Sequence, residues 1–147
     1  MRKIIIKILL LCVVAFGLSG CKLIFEPESD AVSRMLSNCP SGNYRHYREL
    51  CDGEKVCGQL GELAGILASD WYNARKGFFT VTAIERAEDT GYSYVYVDLR
   101  MPAGGNQKET TMPLVFEMQR IKLRWHIYSV KGLDEYLRRA TRARGIL

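Results

Sequence analysis

Apolar residues run unbroken from Ile8 to Phe16, then recur at helical spacing, then alternate with polar ones, and finally return to helical spacing. The first helical stretch carries Val32, Met35 and Leu36, with Ser29 or Asp30 placed to cap it. Asn38-Cys39-Pro40-Ser41-Gly42-Asn43 breaks it. Tyr44 to Cys51 predicts a second short helix that turns Tyr44, Tyr47 and Leu50 or Cys51 inward. Val56, Leu60, Leu63, Leu67, Trp71 and Ala74 then predict a long helix to about Lys76. Gly58, Gly61, Gly65 and Ala68 run beside that stripe. Interior glycines are costly in a helix, so either a backbone packs closely on them or the helix starts near Leu60.

Beyond Gly77 the period becomes two. Strands are predicted over Phe78–Glu85, Tyr92–Met101, Thr110–Met118 and Leu123–Val130, with Pro113 requiring a bulge or an edge. Leu133 to Ala143 is a final helix with Leu133, Tyr136, Leu137 and Ala140 on one side. Helices followed by a run of antiparallel strands define an α+β fold. The pattern predicts N-terminal helices packed on an antiparallel sheet of about four strands, with a short C-terminal helix.

The chain has 147 residues, enough for one domain with its own core. Its start has the layout of a secretory signal: Arg2, Lys3 and Lys7, the apolar run, then Gly17, Ser19 and Gly20 before Cys21. Lys7 leaves the run too short for a membrane-spanning helix. Ordinary signal cleavage wants a small residue three before the cut, where Leu18 stands. Leu18-Ser19-Gly20-Cys21 resembles the lipobox of bacterial lipoproteins. That resemblance implies cleavage before Cys21 and lipidation of its sulfur and new amine. Lys22, where aspartate would favour inner-membrane retention, implies an outer-membrane location facing the periplasm. The expected organisation is a signal peptide at 1–20, a lipid-anchored tether at 21–29 and a single domain at 30–147. Leu23-Ile24-Phe25 either dips into the headgroups or packs on the domain, and both keep the domain near the membrane.

Removing the signal changes the charge balance. The chain has 21 Lys and Arg against 16 acidic residues, and three of the basic ones lie before Cys21. What remains is nearly neutral, which argues against nucleic acid as a partner. Cys39, Cys51 and Cys57 remain in a compartment that permits disulfides. One bridge is expected among them, with Cys51 as a member because it lies between the other two. With His46 these thiols would make a Cys₃His set, but paired metal-ligand spacing is absent, so no metal is assigned.

The segment Leu123 to Val130, LRWHIYSV, looks like the closing strand of NTF2-like (cystatin-like) domains. The resemblance implies a curved sheet wrapped over N-terminal helices, sometimes enclosing a pocket. Some such proteins use an Asp with Tyr or His, and Asp98 is the carboxylate to consider here. It alternates away from Val95, Val97, Leu99 and Met101, and so away from a pocket. No catalytic residue and no cofactor is assigned. The more informative pattern is the outer face of the sheet: Tyr92, Tyr94, Tyr96, Asp98 and Arg100 on one strand, with Lys122, Arg124, His126 and Tyr128 on another. Tyr94, Tyr96, Arg100, Arg124 and Tyr128 are the candidate partner-binding residues, because Tyr and Arg suit interface cores. The expected function is a non-enzymatic envelope lipoprotein that binds a protein or polymer. The alternative is a pocket protein that binds a small ligand or acts on it. Arg138, Arg139, Arg142 and Arg144 on the last helix could meet anionic lipid or glycan, or form a solvated face.

Overall fold

The computed structural model describes residues 26–43, 45–103 and 108–143. The signal segment, Cys21, Leu23-Ile24-Phe25, Tyr44 and Arg144 lie outside the described residues. Helix α1 spans Glu28–Asn38, followed by a 3₁₀ turn at Cys39–Ser41; α2 is Arg45–Leu50, α3 is Glu54–Leu67 and α4 is Asp70–Asn73. Strands β1 (Phe79–Arg86), β2 (Tyr92–Met101), β3 (Thr110–Ile121) and β4 (Arg124–Lys131) follow, and α5 covers Leu133–Ala143. The fold is α+β, as expected. All strand pairs are antiparallel, in the order β1-β2-β3-β4.

One face of the sheet carries the core. Val95, Val97, Leu99 and Met101 from β2, Leu114, Phe116 and Met118 from β3, and Ile127 and Val130 from β4 are buried. Ala31, Val32, Met35 and Leu36 of α1, with Leu60, Leu63 and Leu67 of α3, meet them. Helix α5 adds Leu133, Tyr136, Leu137 and Ala140, the four residues its pattern selects. Tyr72 and Tyr136 bring hydroxyls into this core. These meet each other and reach the carbonyl oxygen of Arg100 at 3.3 and 2.9 Å, which offsets their desolvation.

Several elements depart from the pattern-based expectation. Helix α1 begins at Glu28 after Pro27, ahead of Ser29 and Asp30, and puts acidic Glu28 and Asp30 in its first turn. The long helix expected to Lys76 breaks at Ala68-Ser69, where Ser69 is extended (φ −132°, ψ 157°). The break rotates the following turn. Tyr72 is buried, Trp71 is only partly covered and Ala74 is exposed, whereas an unbroken stripe would bury Trp71 and Ala74. Strand β3 runs on to Ile121, and β4 starts at Arg124 because Leu123 belongs to the turn. Pro113 pairs with Asp98 beyond the last β3–β4 pair, Val115 with Lys131, so its other side is locally an edge.

Helix α3 runs through all three glycines, so it does not start near Leu60. Close backbone packing does not account for them either. A methyl group at Gly61 would meet the Tyr47 hydroxyl at 3.2 Å, but at Gly58 and Gly65 it would meet nothing within 4 Å. Gly58→Ala and Gly65→Ala are therefore expected to stabilise the domain by about 1 kcal/mol each. Urea unfolding should register the gain; a loss at either site would mean that its open face is covered in the working protein.

The disulfide joins Cys51 to Cys57, with Cα atoms 5.2 Å apart. It ties the end of α2 to the first turn of α3. Cys39 is a buried free thiol, its pKa pushed up to about 11 by burial, which keeps it protonated and unreactive.

Candidate functional site

The sheet face opposite the core is built by strict alternation along β2. Tyr92, Tyr94, Tyr96 and Asp98 point outward and remain half-exposed while their neighbours are buried. Tyr128 reaches the same face by a different route. In the β3–β4 register Ser129 pairs with Glu117 and Ile127 with Met118, so Tyr128 is an extra residue in a bulge. Ile127 and Val130 can therefore both face the core, and the intervening tyrosine turns outward. Its ring packs edge-on against Tyr92, with centroids 5.7 Å apart and planes at 83°.

Charged groups frame the tyrosines. The Tyr96 hydroxyl donates to Glu85 Oε2 at 2.9 Å, and Lys131 Nζ lies 2.7 Å from Glu117 Oε1. Partial burial, the Glu117 charge and a hydrogen bond with Tyr94 push the Tyr128 hydroxyl up to about 12. The hydrogen bond to Glu85 raises Tyr96 as well. Both tyrosines stay neutral at any physiological pH, as amphipathic rings with a hydroxyl to offer.

Tyr94, Tyr96 and Tyr128 come together, but the two arginines assigned with them do not join the cluster. Arg100 is six residues beyond Tyr94, roughly 20 Å along the strand, and lies 3.9 Å from Glu109. Arg124 sits at the other end, beside the β3–β4 turn and opposite Ile121. The sequence reading also missed Glu85, Glu117 and Lys131. Alternation with Phe116 and Met118 could have flagged Glu117. Glu85 faces Tyr94 only because β1 has a bulge between Val81 and Ala83.

A cleft of about 550 Å³ opens at the end of the sheet, lined among others by Glu28, Arg86, Tyr92, Arg120 and Trp125. Its one buried carboxylate is Glu28, already engaged by Arg86 at 2.6 Å and by Ser93 Oγ at 2.9 Å. Burial raises the Glu28 pKa, but the bonds from Arg86, its own backbone amide and Ser93 outweigh this and hold the carboxyl below its usual range. An ionised, fully bonded carboxylate is a poor general acid or base. Asp98 is on the outer face, between Thr80 and Pro113 of the neighbouring strands. The Cys51–Cys57 bond withdraws two thiols from the Cys₃His set. Among the described residues no group of three or more His, Cys, Asp and Glu is arranged to hold a metal ion, and no helix is long and apolar enough to cross a membrane.

Comparison of the chain with protein-family models, with curated proteins and with solved structures gave no match.

Proposed function

We propose that the protein is a lipid-anchored lipoprotein of the cell envelope, held by Cys21 in the outer membrane and facing the periplasm. Its domain follows an NTF2-like (cystatin-like) plan and acts as a non-enzymatic module that binds an envelope protein or polymer. The tyrosine face of the sheet is the binding surface. The observation that carries this reading is that Tyr92, Tyr94, Tyr96 and Tyr128 are half-exposed on one face while the other is buried under helices. Rigid aromatic rings with a polar handle give large contact area at little entropic cost.

A second reading, a pocket that takes a small ligand, is favoured by the cleft beside Trp125, whose lining includes Arg86 and Arg120. The pairing of Arg86 Nε and Nη2 with Glu28 weighs against it.

The double variant Tyr96→Ala with Tyr128→Ala separates the two. Neither ring is in the core, so stability should fall by no more than about 1–2 kcal/mol. Truncating a central aromatic of an interface costs about 2 kcal/mol or more of binding. Proteins or polymers that copurify with the wild-type lipoprotein from membranes should then be lost. Unchanged copurification would sink the tyrosine-face reading, and unfolding of the variant would mean that the rings belong to the core.

A further inference from the structure

Three large apolar side chains are exposed among the described residues, and two of them stand in one hairpin; the third, Ile84 at 39 %, is on β1. Leu123 is 58 % exposed and Ile121 38 %, and both flank the β3–β4 turn. The turn residues Lys122 and Leu123 have φ of 47° and 67°. This is the two-residue geometry that Asn-Gly normally takes, and leucine is a poor choice for it. The fold thus gains little from Leu123, either as packing or as a turn former.

The charges around it have one sign in excess. Arg120, Lys122 and Arg124 alternate with Ile121 and Leu123. Of the acids at this end, Glu26 and Glu49 are paired with Arg34 at 2.9 Å and Arg45 at 2.8 Å, and Glu28 with Arg86 at 2.6 Å, while Glu88 and Asp89 of the β1–β2 turn line the cleft beside Arg120. Lys122 and Arg124 have no carboxylate within 4.0 Å among the described residues.

The way the chain enters the domain fixes where this hairpin stands. The carbonyl oxygen of Glu26 accepts the indole N–H of Trp125 at 2.9 Å, next to Arg124. Four residues lie between Cys21 and Glu26, so the two are at most about 18 Å apart. A lipid on Cys21 would therefore hold this end of the sheet, and no other, against the bilayer.

We infer that the β3–β4 hairpin tip is the edge of the domain that contacts the membrane. Leu123 enters the interfacial region, and Lys122 and Arg124 engage the phosphates of anionic lipid. The proximity rests on the lipoprotein reading; the apolar tip and its basic rim are independent of it. The strands then rise from the membrane and present the tyrosine face sideways.

The test uses the full chain, purified from membranes and reconstituted in vesicles containing phosphatidylglycerol. One variant, Leu123→Cys, carries an environment-sensitive fluorophore. A second, Ala103→Cys, carries it just past the end of β2, away from the β3–β4 turn. The bonded pair Cys51–Cys57 and buried Cys39 should not take the label. Emission from position 123 should shift to the blue and be quenched several-fold more strongly by nitroxide lipids than emission from position 103. Adding Lys122→Glu and Arg124→Glu should abolish that quenching. The mass of the N-terminal residue is measured on the same samples. A lipidated Cys21 with a water-exposed label at 123 overturns the inference and leaves the anchor standing. An unlipidated chain whose 123 label is still quenched overturns the anchor and supports the hairpin. A label shielded only in native membranes, and water-exposed in protein-free vesicles, also overturns it and assigns the tip to a protein.

Discussion

A chain carrying Cys21→Ser and exported behind an ordinarily cleaved signal peptide is expected to leave the membrane fraction almost completely. The residue lies outside the described part of the structure, so the expectation comes from the sequence. Leu18 unsuits the site for ordinary cleavage, and Cys21 sits where a lipidated residue would begin the mature chain. Each buried methylene contributes about 0.8 kcal/mol, so one acyl chain binds marginally and two or three bind essentially permanently. The hairpin tip cannot replace them, since burying one leucine side chain contributes only about 1.5–3 kcal/mol. Sedimentation of lysed cells and mass analysis of the N-terminus would check this. A wild-type chain with intact Met1, or a serine variant that sediments with membranes as well as wild type does, would refute the anchor.

How far the domain was legible depends on which physical signal each element carries. Strand β2 and helix α5 lie between the residues their periodicity selects, because both pack one clean face against the core. The disulfide partner of Cys51 became definite only when α2 and α3 were seen to meet at their ends; spacing alone allowed Cys39 equally. The break at Ala68-Ser69 carries neither Gly nor Pro. The stripe from Val56 to Ala74 therefore read as one helix, and Tyr72 was missed as a core residue. Register was the other gap. Strict alternation in LRWHIYSV puts Leu123 inside and makes no provision for Val130. One bulge at Tyr128 and a tight turn at Lys122-Leu123 account for both.

The candidate face was legible in part for the same reason. Tyrosines on alternate positions of β2 must share a face, so Tyr94 and Tyr96 were safe from the sequence. Arg100 and Arg124 share that alternation, yet the strand's length sets them at opposite ends. Alternation reports which side a residue faces and nothing about how far along it lies. Glu28 gave no signal at all. A glutamate at the start of a helix reads as a partner for the helix dipole, and its burial depends on Arg86 and Ser93 arriving from the far side of the sequence.

That buried carboxylate gives the largest expected loss of stability among the polar sites. Glu28 has a side chain 2 % exposed, and it accepts from Arg86 Nε at 2.6 Å, Arg86 Nη2 at 3.2 Å and Ser93 Oγ at 2.9 Å. It thereby ties the first turn of α1 to β1 and β2. Glu28→Ala removes hydrogen bonds to a charged acceptor, each worth about 1.5–3 kcal/mol. Arg86 is 67 % exposed and recovers water when its partner goes, so the losses do not add fully. A net cost of about 3 kcal/mol at neutral pH is expected. The pH dependence follows from the lowered pKa of Glu28 in the fold. Its contribution is complete above the unfolded carboxyl value, near 4.3, and disappears as pH falls through the lower folded value. Exposed carboxylates such as Glu49, also lowered by its arginine partner, titrate in the same range but cancel when variant and wild type are compared at each pH. Urea unfolding of both chains at pH 7 and at steps below pH 5 should therefore give a difference that shrinks with acid. A difference that stays constant into strong acid would mean that the lost stability comes from packing around the α1 terminus and not from the charge of Glu28.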